Sequence, residues 1–365
     1  MTALDPRLKS LIRQDIQGMS AYAVQESAGM VKLDAMENPY SLPPALQAAL
    51  GERLGKLALN RYPDGRVEDL RGALATHAGM PEGYALMLGN GSDELISLLA
   101  MACDVPGASI LAPVPGFVMY AMSAQLQGLA FHGVPLTAEF ELDVTAMLGA
   151  IARHKPTITY IAYPNNPTAN LWNDTAIEKI IAAVGEQGGL VVMDEAYQPF
   201  ASRSWVERIR ANPAANRHVL LMRTLSKFGL AGVRLGYMMG PAELIAEVDK
   251  VRPPYNVSVL NYECALFALE HPDVFAAQAS EIKTQRAMLL EALKGLPGVR
   301  VWNSDANMIL IRVADAAKTF EGMKARKVLV KNVSRLHPLL ANCLRLTVGT
   351  PQENQLMLAA LKESL

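Results

Sequence analysis

Between about residue 55 and residue 255, short runs dense in apolar residues alternate with longer stretches of mixed, helix-spaced polarity. The runs are "YALMLG", "ASILAP", "TITYIAYP", "GLVVMDEAY", "HVLLMRT" and "LGYMMG". Near-continuous apolar character is what a strand buried on both faces requires, so each run predicts an internal strand of a mostly parallel sheet. Helices are predicted over 92–102, 174–187 and 241–250. Strand and helix in alternation predict an α/β architecture, with helices flanking a large mixed sheet.

Past "RPPYNVSVLN" the pattern changes. A long amphipathic helix is predicted over roughly 273–295, after Pro272, followed by short strands near 308–313, 327–330 and 343–348. The terminal "TPQENQLMLAALKESL" opens with Thr350 as N-cap, Pro351 in the first helical position and Glu353 three residues after the cap, a strong helix start. These features predict a smaller α+β domain. The expected division is 1–50 as an N-terminal arm joined to the small domain, 51–255 as the large domain and 256–365 as the small C-terminal domain.

The length, 365 residues, suits one large domain and one smaller. A formal net charge of −1 argues against nucleic acid or an anionic membrane as the main partner. Cys103, Cys264 and Cys343 are far apart and have no metal-ligand spacing, so no metal is expected and a reduced compartment is the simpler reading. Charged residues punctuate the first thirty positions, and no apolar run approaches the ~18 residues of a membrane span. A cytoplasmic protein is expected.

In open parallel sheets the ligand site lies off the carboxyl ends of the strands, so the residues following each run carry the functional reading. After "YALML" comes "GNGSDE", whose glycines and helix start at Gly91, Ser92 and Asp93 would cradle a phosphate; taken alone it reads more plainly as a capped strand-to-helix turn. After "TITYIAY" comes "PNNPTAN", where Asn166 either faces the sheet end or bonds its own backbone in a turn. Asp194 ends a wholly apolar strand and needs a cation or a strong donor, with Tyr197 three residues on; it would also serve as a helix cap. Lys227 follows Thr224 and Ser226 and precedes Arg234; a lone lysine would ordinarily be a surface charge.

One ligand accounts for all of these positions together: pyridoxal 5′-phosphate. Lys227 supplies the amine for a Schiff base with its aldehyde, and the same amine can act as general base and acid. Asp194 keeps the pyridine nitrogen protonated. Asn166 and Tyr197 are donors suited to the phenolic oxygen. Gly91, Ser92, Asp93, Thr224, Ser226 and Arg234 suit the phosphate.

"PNNPT", "DEAY" and "TLSKFGLAGVRLGY" resemble the signatures of fold-type-I pyridoxal-phosphate aminotransferases. With "LDAMENPY", "RYPD", "GNGSDE" and "CLRLTVGTPQEN", the chain is similar over nearly its whole length to the histidinol-phosphate aminotransferase family. The resemblance implies a homodimer with its active site at the subunit interface. It implies that Tyr62 reaches the neighbouring subunit's cofactor phosphate, that Arg345 binds the substrate carboxylate, and that Tyr22 covers the substrate from the N-terminal arm. Tyr22 would equally be an arm-packing aromatic. The implied reaction converts L-histidinol phosphate and 2-oxoglutarate to imidazole acetol phosphate and L-glutamate, in histidine biosynthesis.

Two positions depart from the family pattern. Ala169 stands where glycine is usual in "NNPTAN", and an ordinary backbone conformation is expected there. Lys331, in "VLVKNVSRLHP", stands where the family offers an arginine for the substrate phosphate, with Arg335 and His337 close by in sequence. Aromatic-amino-acid aminotransferases and threonine-phosphate decarboxylases share the motifs and are the rival readings. A nonenzymatic effector-binding module and a nicotinamide dehydrogenase are the rivals of other classes; the retained lysine and the missing glycine fingerprint argue against them.

Overall fold

Among the described residues, thirteen strands organise the chain: β1 (Val31–Lys32), β2 (Tyr84–Gly89), β3 (Ser109–Val114), β4 (Ala130–Pro135), β5 (Ile158–Ala162), β6 (Leu190–Asp194), β7 (Val219–Thr224), β8 (Gly236–Pro241), β9 (Arg300–Val301), β10 (Met308–Arg312), β11 (Val328–Leu329), β12 (Lys331–Asn332) and β13 (Cys343–Thr347). The structure is a computed structural model, which describes residues 5–19, 21, 25–63 and 66–365. Seven strands form one sheet in the order β2-β8-β7-β6-β5-β3-β4. The steps from β7 to β4 are parallel, whereas β8 runs antiparallel to both neighbours.

All six long apolar runs are strands of this sheet. The seventh, β4, lies at its edge, and most of its side chains are partly or fully exposed. Only one residue of β4 is buried, so "AFHGVP" needs no continuous apolar run, whereas β2, at the opposite edge, is buried over its last four residues and keeps one. In the inner strands alternate residues enter two separate cores. Leu111, Ile161, Val191, Met193 and Leu221 join one; Ile110, Tyr160, Val192, Leu220 and Met222 join the other. That is the two-residue period of a strand with both faces covered.

A second sheet has the order β12-β13-β10-β9 and is antiparallel throughout. The N-terminal β1 pairs in parallel with β11, so the first segment of the chain is tied to its last third. The long helix occupies Pro272–Lys294. The terminal helix Pro351–Lys362 starts with a complete capping box between Thr350 and Glu353. The helix Val259–Glu270, which the apolar pattern did not single out, packs on the helices Pro44–Gly55 and Arg66–Ala78.

The topology aligns the functional loops. Ala162 pairs with Asp194, and Asp194 with Met222, so three adjacent parallel strands end together. Because β8 is reversed, its first residue, Gly236, lies beside the last residue of β2, Gly89, and the last of β7, Thr224. Arg234, just before β8, therefore arrives at the same sheet edge as the glycine loop after β2.

Candidate active site

At that edge lies a cavity of about 340 Å³, and its walls include Ser92, Asp93, Asn166, Asp194, Tyr197, Thr224, Ser226, Lys227 and Arg234. Residues more than 140 positions apart in the chain meet here because each follows a strand of one sheet.

The loop after β2 turns at Gly91 (φ 86°), and the eleven-residue helix Ser92–Ala102 begins at once, without a side-chain cap. Its first amides are thus left for another acceptor. A Cβ on Gly91 would stand 2.8 Å from Arg234 Nη2, and one on Gly236 would stand 2.7 Å from the Ser92 nitrogen. Gly236 is needed for the β8 backbone to approach the helix start, and Gly91 for its left-handed turn. Arg234 holds a left-handed backbone (φ 54°) and donates to Ser226 Oγ at 3.2 Å. Ser226 Oγ in turn accepts from Thr224 Oγ1 at 3.0 Å. Helix start, guanidinium and two hydroxyls make a cradle of donors for a compact anion.

Asp194 is buried, and burial raises its pKa from 3.8 to about 6. The next residue, Glu195, points to the opposite face, as a strand's alternation requires, and forms a buried ion pair with Arg223 at 2.8 Å. That pair joins the ends of β6 and β7 behind the cavity.

Lys227 Nζ donates to the Ala35 carbonyl at 3.0 Å and lies 5.9 Å from the Tyr197 ring centre. Burial, aided by the nearby Arg345 and Arg234 charges and opposed by Glu37 and Asp93, lowers its pKa to about 8. A substantial fraction of the amine is therefore neutral near physiological pH.

Asn166 Nδ2 donates to the Tyr197 hydroxyl at 3.0 Å, and its Oδ1 accepts from Arg345 Nη1 at 2.8 Å. Arg345 also donates to the Asp34 carbonyl at 2.8 Å. Lys331 is the register partner of Arg345 across β12 and β13, so both side chains leave the same face of the small sheet.

The class I and II aminotransferase model matches residues 28–361. The chain belongs to that family. Over its full length it is 74% identical to the histidinol-phosphate aminotransferase of Polaromonas naphthalenivorans (strain CJ2), covering 99% of that protein. It is 69% identical to that of Acidovorax sp. (strain JS42), with both chains fully covered. Its fold resembles a crystal structure of histidinol-phosphate aminotransferase from Sinorhizobium meliloti in complex with pyridoxal-5′-phosphate, with TM-score 0.84 and 23% identity over 100% of this chain and 98% of that one.

Within the aminotransferase, the expected site residues fall into distinct places. Tyr62 is 77% exposed and stacks on Tyr255 with ring centres 4.5 Å apart, away from the cavity walls. Tyr22 lies outside the described residues. His337 caps a short turn, its Nδ1 accepting from the Leu339 amide at 3.2 Å, and lines a neighbouring apolar cavity with Leu336 and Leu340; Arg335 is exposed. The expected ordinary backbone at Ala169 is overturned. Ala169 takes the left-handed conformation (φ 66°), fully buried, with its amide donating to Asn165 and its carbonyl accepting from Asp305. Those contacts hold a conformation that disfavours any residue with a Cβ by about 1–2 kcal/mol.

The cavity residues that were not singled out from the sequence include Phe117 and Tyr120, whose hydroxyl donates to Asp194 Oδ2 at 2.6 Å. They follow β3 in "PGFVMY". Reading the loop after that strand as the others were read would have found them. Among the described residues no cluster of side chains suits a metal ion.

Proposed function

We propose that the cavity carries out transamination between L-histidinol phosphate and 2-oxoglutarate, yielding imidazole acetol phosphate and L-glutamate, with pyridoxal 5′-phosphate as cofactor. The observation that carries this reading is one cavity lined by a lysine of lowered pKa, a buried carboxylate and a cradle of anion donors. Full-length relatives named histidinol-phosphate aminotransferase support the substrate over an aromatic amino acid or a threonine phosphate. The place in histidine biosynthesis follows from that substrate, and a cytoplasmic location suits it. No helix among the described residues is long and apolar enough to cross a membrane.

The donor set fits the cofactor. Lys227 would hold it covalently, Asp194 would face its ring nitrogen, and Asn166 with Tyr197 would converge on its phenolic oxygen. Gly91, Ser92, Asp93, Thr224, Ser226 and Arg234 would hold its phosphate. When bound, the cofactor supplies an electron-accepting ring for the carbon that loses its proton. The neutral Lys227 Nζ takes the proton from the donor's Cα and returns one in the second half of the exchange. Asp194 keeps the opposing nitrogen charged by presenting an anion where water is excluded.

At the substrate end, Arg345 pairs with the carboxylate of glutamate or 2-oxoglutarate, and Lys331 beside it attracts the phosphate of histidinol phosphate. The expected division into 1–50, 51–255 and 256–365 assigns the helix Val259–Glu270 to the C-terminal part, although it packs on the helices Pro44–Gly55 and Arg66–Ala78.

Measuring both half-reactions tests the substrate assignment. Arg345→Ala should lower kcat/KM for glutamate by about 100-fold, since a charge-assisted pair to the carboxylate is lost. Lys331→Ala should raise the KM for histidinol phosphate about tenfold while sparing phenylalanine, because one point-charge contact to phosphate is removed. Equal damage to both donors would show that Lys331 does not read a phosphate. Wild-type protein that uses phenylalanine but not histidinol phosphate would move the assignment to the aromatic class.

The exposure of Tyr62 supports a homodimer in which it reaches the partner's cofactor phosphate. Tyr62→Phe should weaken cofactor retention about tenfold, the worth of one hydrogen bond to a charged acceptor. Mixing Tyr62→Ala with Lys227→Ala protein should restore part of the activity in hybrid dimers that regain one intact site. Demonstrated subunit exchange with no recovered activity would argue against a shared site.

A further inference from the structure

Asp194 is gripped at both oxygens. Its Oδ1 accepts from the Ala196 amide at 3.0 Å, a turn closed locally. Its Oδ2 accepts from the Tyr120 hydroxyl at 2.6 Å, across 74 positions of chain. Tyr120 is the second residue of the helix Met119–Gln127 and is buried. Its ring stacks on Tyr160 with centres 4.3 Å apart and planes 7° from parallel, and meets Phe117 edge-on at 5.6 Å. A ring fixed on two sides places its hydroxyl with little freedom. Burial beside an anion pushes the phenol's pKa well above its ordinary value, so it keeps its proton and remains a donor at neutral pH.

The other charged groups acting on Asp194 do not help it ionise. Asp93, from the helix Ser92–Ala102, and Glu195, from its own strand end, both oppose the negative charge, as does burial. The Tyr120 hydroxyl and the Ala196 amide favour it. Of these two donors only the phenol comes from a side chain, and the helix that follows β3 carries it.

We propose that Tyr120 is a positioning residue for Asp194, fixing its carboxylate toward the cavity and making it the weaker base of the pair it forms with the cofactor's ring nitrogen. This rests on the reading of Asp194 as that nitrogen's partner. A carboxylate that shares Oδ2 with a short phenol hydrogen bond has less negative charge to offer elsewhere. The proton between nitrogen and carboxylate then stays on the nitrogen, where the chemistry needs it. Without the phenol the carboxylate becomes more basic and draws the proton to itself, leaving the ring uncharged.

The test uses the holoenzyme as Tyr120→Phe, Asp194→Asn and the double variant. Phenylalanine keeps the ring stack and removes only the donor. Three quantities are read: the rate of α-proton abstraction from glutamate in single turnovers, the cofactor dissociation constant, and the pH midpoint of the bound cofactor's visible band. Tyr120→Phe should slow proton abstraction about tenfold, weaken cofactor retention and move the midpoint, as loss of a hydrogen bond to a charged group implies. Added to Asp194→Asn it should change the rate less than about twofold, because the two residues act as one unit. Replacing Tyr120 with 3-fluorotyrosine, a stronger donor of nearly the same shape, should move the midpoint the other way, and this variant serves if Tyr120→Phe folds poorly. A wild-type rate and midpoint in Tyr120→Phe, an unmoved midpoint with 3-fluorotyrosine, or the same tenfold loss in the Asp194→Asn background would each reduce Tyr120 to packing and overturn the proposal. An unimpaired Asp194→Asn overturns it too, and marks the reading of Asp194, rather than the phenol, as the point of failure.

Discussion

Lys227→Ala is expected to lower kcat for both half-reactions by about 10⁴-fold, the upper range for removing a positioned acid–base group, because the covalent anchor goes with it. Borohydride should no longer fix pyridoxal phosphate to the chain, which mass spectrometry reads directly. The fold should survive: burial disfavours the ammonium form, so deleting it removes a cost as well as the hydrogen bond to Ala35. In the wild-type protein freed of cofactor, only the neutral amine can attack the aldehyde. The rate of covalent capture should therefore rise with pH, with its midpoint at about 8, and fall roughly tenfold per unit below it. A borohydride-stable link in Lys227→Ala, or a capture midpoint near the ordinary 10.5, would show that another group holds the cofactor.

Asp194→Asn should bind cofactor yet lose about 10²–10³-fold in the rate of α-proton abstraction, the range for removing one preorganised electrostatic group. An amide offers the ring nitrogen no negative charge. Single-turnover kinetics with α-deuterated glutamate should show a larger isotope effect, as proton abstraction becomes the slow step; an unchanged rate and isotope effect would leave Asp194 only a turn-forming residue. The cofactor-free protein gives a second readout. Burial raises the folded-state pKa from 3.8 to about 6, so the folded state binds the extra proton across that interval. The corresponding stability is fully present below about pH 4 and is lost as pH rises through about 6. Asparagine cannot titrate, so this dependence should vanish in the variant.

Much of the cofactor cavity was legible in the chain because a parallel sheet converts sequence order into geometry. A strand covered on both faces must be apolar on both, so β3, β5, β6, β7 and β8, and β2 at one end of the sheet, announce themselves, and the polar residues at their ends gather at one edge. Ser92, Asp93, Asn166, Asp194, Tyr197, Thr224, Ser226, Lys227 and Arg234 meet there for that reason. The edge strand β4 and the two-residue strands β9 and β12 left no such mark, since too few of their residues are buried on both sides to set a pattern.

What the sequence determined by itself was local: strand and helix periods, the Thr350 capping box, and the residue types that a phosphate, an aldehyde and a ring nitrogen demand. Tertiary structure decided what depends on direction and neighbours. The reversal of β8 brings Arg234 to the glycine loop, and no local period encodes whether a strand runs parallel or antiparallel. Ala169 adopts a glycine-like conformation because Asn165 and Asp305 hold its backbone, which outweighs its own preference. Arg345 finds Asn166 across 179 positions, and Tyr120 finds Asp194 across 74. Such hydrogen bonds join residues with no sequence relation to one another, so they exist only once the two sheets and their helices have packed.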